Sequence, residues 1–220
     1  TPMSPSTVVR YLAALSHAFT IAVMDWGWVD DSPLRKVTKP KQPRGRERFL
    51  SDDERERLLM ACKASSSTFL HTVVVLALST GMRRGEIMGL HWTQVDLKRG
   101  QILLFDTKTG LALSMMTDLS KVRRIDTTLI FYGADKNKPV DLKKPWETAV
   151  TKAKLKDFRF HDLRHSAASY LAMNGASTIE IAAVLGHKTL QMVKRYSHLA
   201  NSHTASVVSS MNEKIFGVRP

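Results

Sequence analysis

The 220-residue sequence predicts a mainly α-helical protein with one small antiparallel β-sheet, an α+β class. Three observations predict it. Apolar residues recur at helical spacing through most of the chain, capping residues stand at the starts of those stretches, and a single short segment has strand character. Val8, Leu12, Leu15, Phe19 and Val23, widened by Tyr11 and Ala22, form the first stripe, which ends near Trp26-Gly27. Asp31-Ser32-Pro33 breaks the pattern. Lys36 to Arg48 is then basic and nearly free of apolar residues, with Pro40, Pro43 and Gly45, and this marks a linker. The expected organisation is therefore a helical remnant at 1–38, a basic linker at 39–49 and a second domain at 50–220. The first part is too small to own a core, and the chain opens at Thr1 without methionine, so it is expected to be a fragment or a processed product.

In the second domain, Ser51 and Glu54 have capping-box spacing ahead of Leu58, Leu59 and Cys62. Phe69 to Leu78 is apolar nearly all round, as a central helix would be, and Gly81 suits the left-handed turn that ends it. A short helix is expected over Arg84 to Leu90. Gln101 to Phe105 is the strand candidate, with Thr109-Gly110 expected to turn the chain into a second strand at Leu111 to Met116. Further helices are expected over Trp146 to Ala153 and His161 to Met173, the latter with Leu163, Ala167, Tyr170 and Leu171 inward. Ser177 and Glu180 precede another at Ile181 to Leu185, closed by Gly186. Thr189 is placed to cap a short helix leading to Tyr196, and Ala205 to Phe216 forms the last.

Charge narrows the function. Lys plus Arg number 33 against 20 Asp plus Glu, a formal +13, so a polyanion is the expected partner and nucleic acid the commonest one. A membrane surface is the alternative, but no lysine-rich amphipathic stretch supports it, and the longest apolar run, Val73 to Leu78, is too short to span a bilayer. The single cysteine, Cys62, excludes an internal disulfide and a cysteine-rich zinc site, and its apolar setting reads as a buried, unreactive thiol. Nothing at the start resembles a signal peptide, and a cytoplasmic protein acting on DNA is expected.

The chemistry-bearing residues form several groups. His161 and Arg164 lie three apart in the first turn of a helix, on one face, where an anion meets a guanidinium, an imidazole and free N–H groups together. An arginine bonded to loop carbonyls beside a satisfied histidine fits the same letters. His161 and His165 have the spacing of a zinc helix, but Asp162 stands where such a helix needs glutamate and no third ligand is evident. Arg83 follows the Gly81 turn, with Glu86 three residues on to orient it; two solvated arginines on a surface turn are the alternative. Tyr196, in Val193-Lys194-Arg195-Tyr196-Ser197-His198, is either a core aromatic or a nucleophile.

Taken together, Thr80-Gly81-Met82-Arg83 through Glu86, Thr107-Lys108-Thr109-Gly110, His161-Asp162-Leu163-Arg164-His165, Leu185-Gly186-His187 and Arg195-Tyr196-Ser197-His198 resemble the catalytic domain of tyrosine recombinases, the phage integrase family. The resemblance runs from about Phe49 to the end. Residues before Lys39, with Tyr11 to Leu15 and Trp26-Gly27-Trp28, are similar to the last helices of that family's core-binding domain.

The resemblance implies the tyrosine-recombinase catalytic fold and DNA breaking and rejoining through a 3′-phosphotyrosyl bond, with no metal or nucleotide cofactor. It implies that Arg83 and Arg164 clamp the scissile phosphate, Lys108 protonates the leaving 5′ oxygen, His161 assists proton removal from Tyr196, and His187 bonds the phosphate. His165 and His198 match family positions as supporting residues. It further implies double-stranded DNA at attachment or recombination sites as substrate and a homo-tetramer on DNA, with a monomer or weak oligomer in its absence. Accessory DNA-bending or directionality proteins are implied too, as is a C-terminal segment, 205–216, that reaches a neighbouring subunit. Leu111 to Met116 departs from the family pattern in lacking a basic residue. A supercoil-relaxing type IB topoisomerase and a silent DNA-binding regulator derived from a recombinase are the competing readings.

Overall fold

The computed structural model describes residues 2–43, 46, 48–104, 107–110, 117, 119–121, 123–186, 189–196, 209–215 and 217. They divide into two compact units, Thr1–Arg46 and Glu47–Pro220.

In the first unit, helix α1 (Pro5–Met24) starts at Ser4, whose hydroxyl accepts from the Thr7 N–H, with Pro5 at a position that needs no amide hydrogen. None of its residues is buried within the unit. Its length and mean hydropathy of 1.4 are enough for a bilayer crossing, by those two measures alone. The longest apolar segment is therefore this helix rather than Val73 to Leu78. Arg10, His17 and several hydroxyl residues interrupt it, which hides it from a search for unbroken apolar runs. Past the helix, Gly27 takes the left-handed conformation and the Trp26 and Trp28 rings meet at 4.3 Å. Ser32 then caps a 3₁₀ turn at Pro33–Lys36.

The second unit comprises α2 (Asp52–Lys63), α3 (Leu70–Thr80), α4 (Arg84–Met88), strands β1 (Val95–Asp96), β2 (Gln101–Leu104) and β3 (Thr107–Gly110), then α5 (Lys143–Lys152), α6 (Asp162–Met173) and α7 (Thr178–Leu185). Residues 209–215 are also helical. The predicted mainly helical class with a small sheet is what the chain adopts. Both predicted capping boxes, Ser51 with Glu54 and Ser177 with Glu180, are formed.

Helix α3 is the axis of the unit. Leu70, Val73, Val74, Leu76 and Ala77 are all buried, and α3 packs on both α2 and α6. Each such leucine or valine side chain contributes about 1.5–3 kcal/mol on burial. Cys62 lies in this core with its thiol pushed up to about 12 by burial, so it stays protonated. Leu50, just before α2, is pinned onto α6 through both of its backbone groups: its N–H donates to Ser166 Oγ (3.0 Å) and its carbonyl accepts from the Tyr170 hydroxyl (3.0 Å).

The hairpin differs from expectation. Leu104 pairs with Thr107 and Gln101 with Gly110, so Thr109-Gly110 belongs to the paired strand rather than to a turn. Two β-branched threonines flanking Lys108 suit a ladder, and this pairing outweighs the local turn signal of Thr-Gly. β1 makes the sheet three-stranded, in the order β1-β2-β3, all antiparallel. Leu111 to Met116, predicted as the second strand, lies outside the described residues; of the predicted last helix, Ala205 to Phe216, residues 209–215 are helical and the others lie outside the described residues. The segment before Tyr196 also differs: Leu190–Met192 is a 3₁₀ turn, and Thr189 stands at its cap position without a side-chain cap bond.

Candidate active site

Arg164 is the fixed point. It sits in the first turn of α6 and is 5% exposed. A charge so buried needs compensation. Its Nη1 donates to the Gly81 carbonyl (2.7 Å) and its Nη2 to the Leu185 carbonyl (2.5 Å). These carbonyls are at the C-terminal ends of α3 and α7, where unpaired oxygens and the helix dipole present negative charge to a cation. Burial, followed by the neighbouring positive charge of Arg83, lowers the Arg164 pKa to about 10, which leaves it protonated at neutral pH. The arginine is thus bonded to backbone carbonyls, at helix ends rather than in loops, and these bonds use only part of the side chain. A guanidinium has five N–H groups, and those not given to Gly81 and Leu185 remain for an anion.

Gly81 makes this geometry possible. It has φ +65°, and a Cβ there would come within 2.2 Å of Leu185 Cδ2. Only glycine lets the end of α3 approach α7 closely enough for one guanidinium to bridge both.

Arg83 follows two residues later, at the start of α4. Glu86 fixes it twice: Oε2 accepts from the Arg83 N–H (2.7 Å) and Oε1 from Nη1 (2.7 Å). Although burial raises the Glu86 pKa, bonds from Arg83 and the charge of Arg164 give a net lowering, so the carboxylate is firmly ionised. The Arg83 side chain is 48% exposed. Its charge acts on both Arg164 and His161, so the two arginines belong to one neighbourhood.

His161 occupies the position before α6 and is solvent-exposed. Desolvation, then the charges of Arg164 and Arg83, lower its pKa, with Asp162 opposing. Asp162 itself is 1% exposed, and its Oδ2 accepts from the Arg159 N–H (2.8 Å). That bond fastens the loop that delivers His161 to the site. Among the described residues no three His, Cys, Asp or Glu side chains group closely enough to hold a metal ion.

Tyr196 is 5% exposed and packs in a small second core with Ala168, Ala172, Ile181, Ala182, Leu185 and Val193. Burial raises the pKa of its phenol, against the charges of Arg195 and Arg164. The imidazole facing that phenol is not His161 but His165, whose Nδ1 lies 2.5 Å from the Tyr196 oxygen. His161 stands behind it, with its ring edge-on to His165 at 5.3 Å. The sequence held a signal for this. His165 is four residues past His161, on the same helical face, and directly follows the anchored arginine.

Arg164 thus lies within electrostatic reach of Arg83, His161 and Tyr196, and joins them around the ends of α3, α6 and α7. Lys108 lies on β3, paired with Leu103, rather than on a turn after the strand. His187 and His198 lie outside the described residues.

Residues 48–203 match the phage integrase family. The chain belongs to that family. A shufflon-specific DNA recombinase of Escherichia coli is 36% identical over 90% of this chain, of which it matches 52% of the relative's length. This phage integrase family chain thus spans about half of that relative. The solved catalytic domain of bacteriophage HP1 integrase, 26% identical, superposes over 78% of this chain and 98% of its own with a TM-score of 0.60. An integrase of the transposon Tn1549 in complex with circular intermediate DNA superposes over 95% of this chain and 81% of its own with a TM-score of 0.75; at 16% identity this likeness is one of fold.

Proposed function

We propose that the chain is the catalytic part of a site-specific DNA recombinase of the integrase type, cleaving and rejoining strands through a 3′-phosphotyrosyl intermediate. The observation that carries the proposal is the buried, carbonyl-anchored Arg164, with donors left over, within electrostatic reach of Arg83 and of the Tyr196 phenol.

The step balances as follows. The Tyr196 oxygen attacks the scissile phosphorus, a P–O(Tyr) bond forms and the P–O5′ bond breaks. The phenol proton passes to a base, His161 assisting, and Lys108 supplies a proton to the departing 5′ oxygen. Arg83 and Arg164 stabilise the non-bridging oxygens as phosphorus becomes five-coordinate, and His187 bonds one of them. Oriented donors of this kind typically contribute about 10²–10³-fold each. The ester bond is retained in the intermediate, so a 5′-hydroxyl from another strand can reverse the attack without nucleotide hydrolysis.

The substrate is double-stranded DNA at an attachment or recombination site. The formal charge of +13 and the basic linker at 39–49 suit phosphate contacts, which give salt-sensitive affinity and little sequence information. A homo-tetramer forms on DNA, with a C-terminal segment in 205–216 passed between subunits; without DNA the protein is a monomer or weak oligomer. Accessory bending or directionality proteins set the outcome. The compartment is the bacterial cytoplasm, at the nucleoid.

A nicked suicide duplex tests the reading. The wild-type chain traps a covalent adduct that survives denaturation, Tyr196→Phe traps none, and EDTA leaves the yield unchanged. An adduct persisting in the phenylalanine variant removes Tyr196 as the nucleophile.

A further inference from the structure

We propose that His165 positions the nucleophile: its Nδ1 accepts the hydrogen bond of the Tyr196 phenol and holds the attacking oxygen at a fixed point beside the helix that carries Arg164. The inference rests on Tyr196 being the nucleophile, and it assigns a function to an imidazole that the mechanism above does not use.

The geometry is restrictive. The aromatic ring of Tyr196 is clasped by the small core of α6, α7 and Val193, while its oxygen meets His165 Nδ1 at 2.5 Å. The ring is thus held both along its body and at its tip. His165 and Arg164 are adjacent on α6, so the attacking atom and one clamp of the electrophile share one rigid segment.

The charge state of both partners follows from their surroundings. Burial, then the charges of His161, Arg195 and Arg164, lower the His165 pKa to about 4, with Asp162 opposing. Burial raises that of Tyr196, with Arg195 and Arg164 opposing. At neutral pH both groups are therefore uncharged, and in the proposed arrangement the shared proton belongs to the phenol, so that Nδ1 accepts and the imidazole carries its own proton on Nε2. So weak a base is a poor final acceptor for a phenol proton, which makes His165 a holder of the oxygen and leaves proton removal to another group. Misplacing a reacting atom by about 1 Å costs on the order of 10²-fold in rate.

Replacing the imidazole separates acceptor from base. In His165→Asn, Oδ1 falls near the place of Nδ1 and still accepts, but the amide has no useful basicity. His165→Leu keeps bulk and loses the acceptor, and His165→Gln moves the acceptor one bond further out. Single-turnover adduct formation on the nicked duplex is expected to slow about 10²-fold in His165→Leu. It should stay within about 10-fold of wild type in His165→Asn, the size of one neutral hydrogen bond, with His165→Gln between and DNA Kd unchanged in all three.

Equal losses in the asparagine and leucine variants at wild-type melting temperature overturn the proposal, as does a leucine variant as fast as wild type. A second arm needs neither DNA nor a folded leucine variant. Imidazole ¹⁵N shifts of the free wild-type chain should report a neutral Nε2–H tautomer for His165 at pH 7, and Tyr196→Phe should move them. A cationic or Nδ1–H imidazole overturns the positioning role even where adducts form. Absence of any adduct from a wild-type chain with the expected shifts counts instead against Tyr196 as nucleophile.

Discussion

The second unit contains two apolar cores of different build. The larger joins α2, α3 and α5 and is filled by wide side chains such as Phe131, Leu58, Leu70, Leu76 and Ile130. The smaller, behind Tyr196, consists mainly of Ala168, Ala172 and Ala182 with Ile181, Leu185 and Val193. The first has bulk enough to specify the fold, whereas the second mainly seats a phenol. Arg164 sits on the seam, bonded through Gly81 to a helix of the large core and through Leu185 to a helix of the small one. Stability is thus concentrated in one region and the proposed nucleophile in the other.

The largest expected effect lies on the seam. Arg164→Lys should reduce adduct formation by about 10²–10³-fold, because an ammonium cannot bridge both carbonyls and still present a fork to phosphate. Single-turnover trapping measures it, and a lysine variant of near wild-type rate would remove the fork from the argument. Next come paired truncations. Leu76→Ala in the large core should cost about 2–5 kcal/mol in urea unfolding with little change in adduct rate per folded molecule. Val193→Ala in the small core should cost about 1–2 kcal/mol but slow the adduct step more. The reverse ranking would break the division of labour.

Gly81→Ala should destabilise by about 1–3 kcal/mol, since it combines a left-handed φ with a clash against Leu185. Its adduct rate should fall too. The last effect is one of pH. His165 has a folded pKa of about 4, below its ordinary value of 6.5. Between those values the unfolded chain binds the extra proton, so stability should fall as pH drops through that window. The slope is about 1.4 kcal/mol per pH unit at most for one proton. His165→Asn should flatten it.

Much of this was legible in the letters. The capping boxes of α2 and α7 and the largely apolar α3 followed from local rules, because each is decided by residues close together in the chain. The hairpin was not, since Thr109-Gly110 carries a turn signal that cross-strand pairing overrides over a distance no local rule sees. For the site, helical spacing brought out His161 and Arg164, the Gly81 turn brought out Arg83, and the family resemblance brought out Tyr196. It could not choose which of two imidazoles, one helical turn apart, meets the phenol, because that depends on how the segment 189–196 lies against α6. The carbonyl partners of Arg164 were out of reach altogether, since backbone oxygens leave no mark on residue identity.

Those two oxygens have a consequence for how defects at this position are read. Without the guanidinium, the ends of α3 and α7 would confront each other as like partial charges across an empty space. An inactive alanine variant there could be broken as a scaffold rather than as a reagent, and only a melting curve recorded alongside the assay tells the two apart.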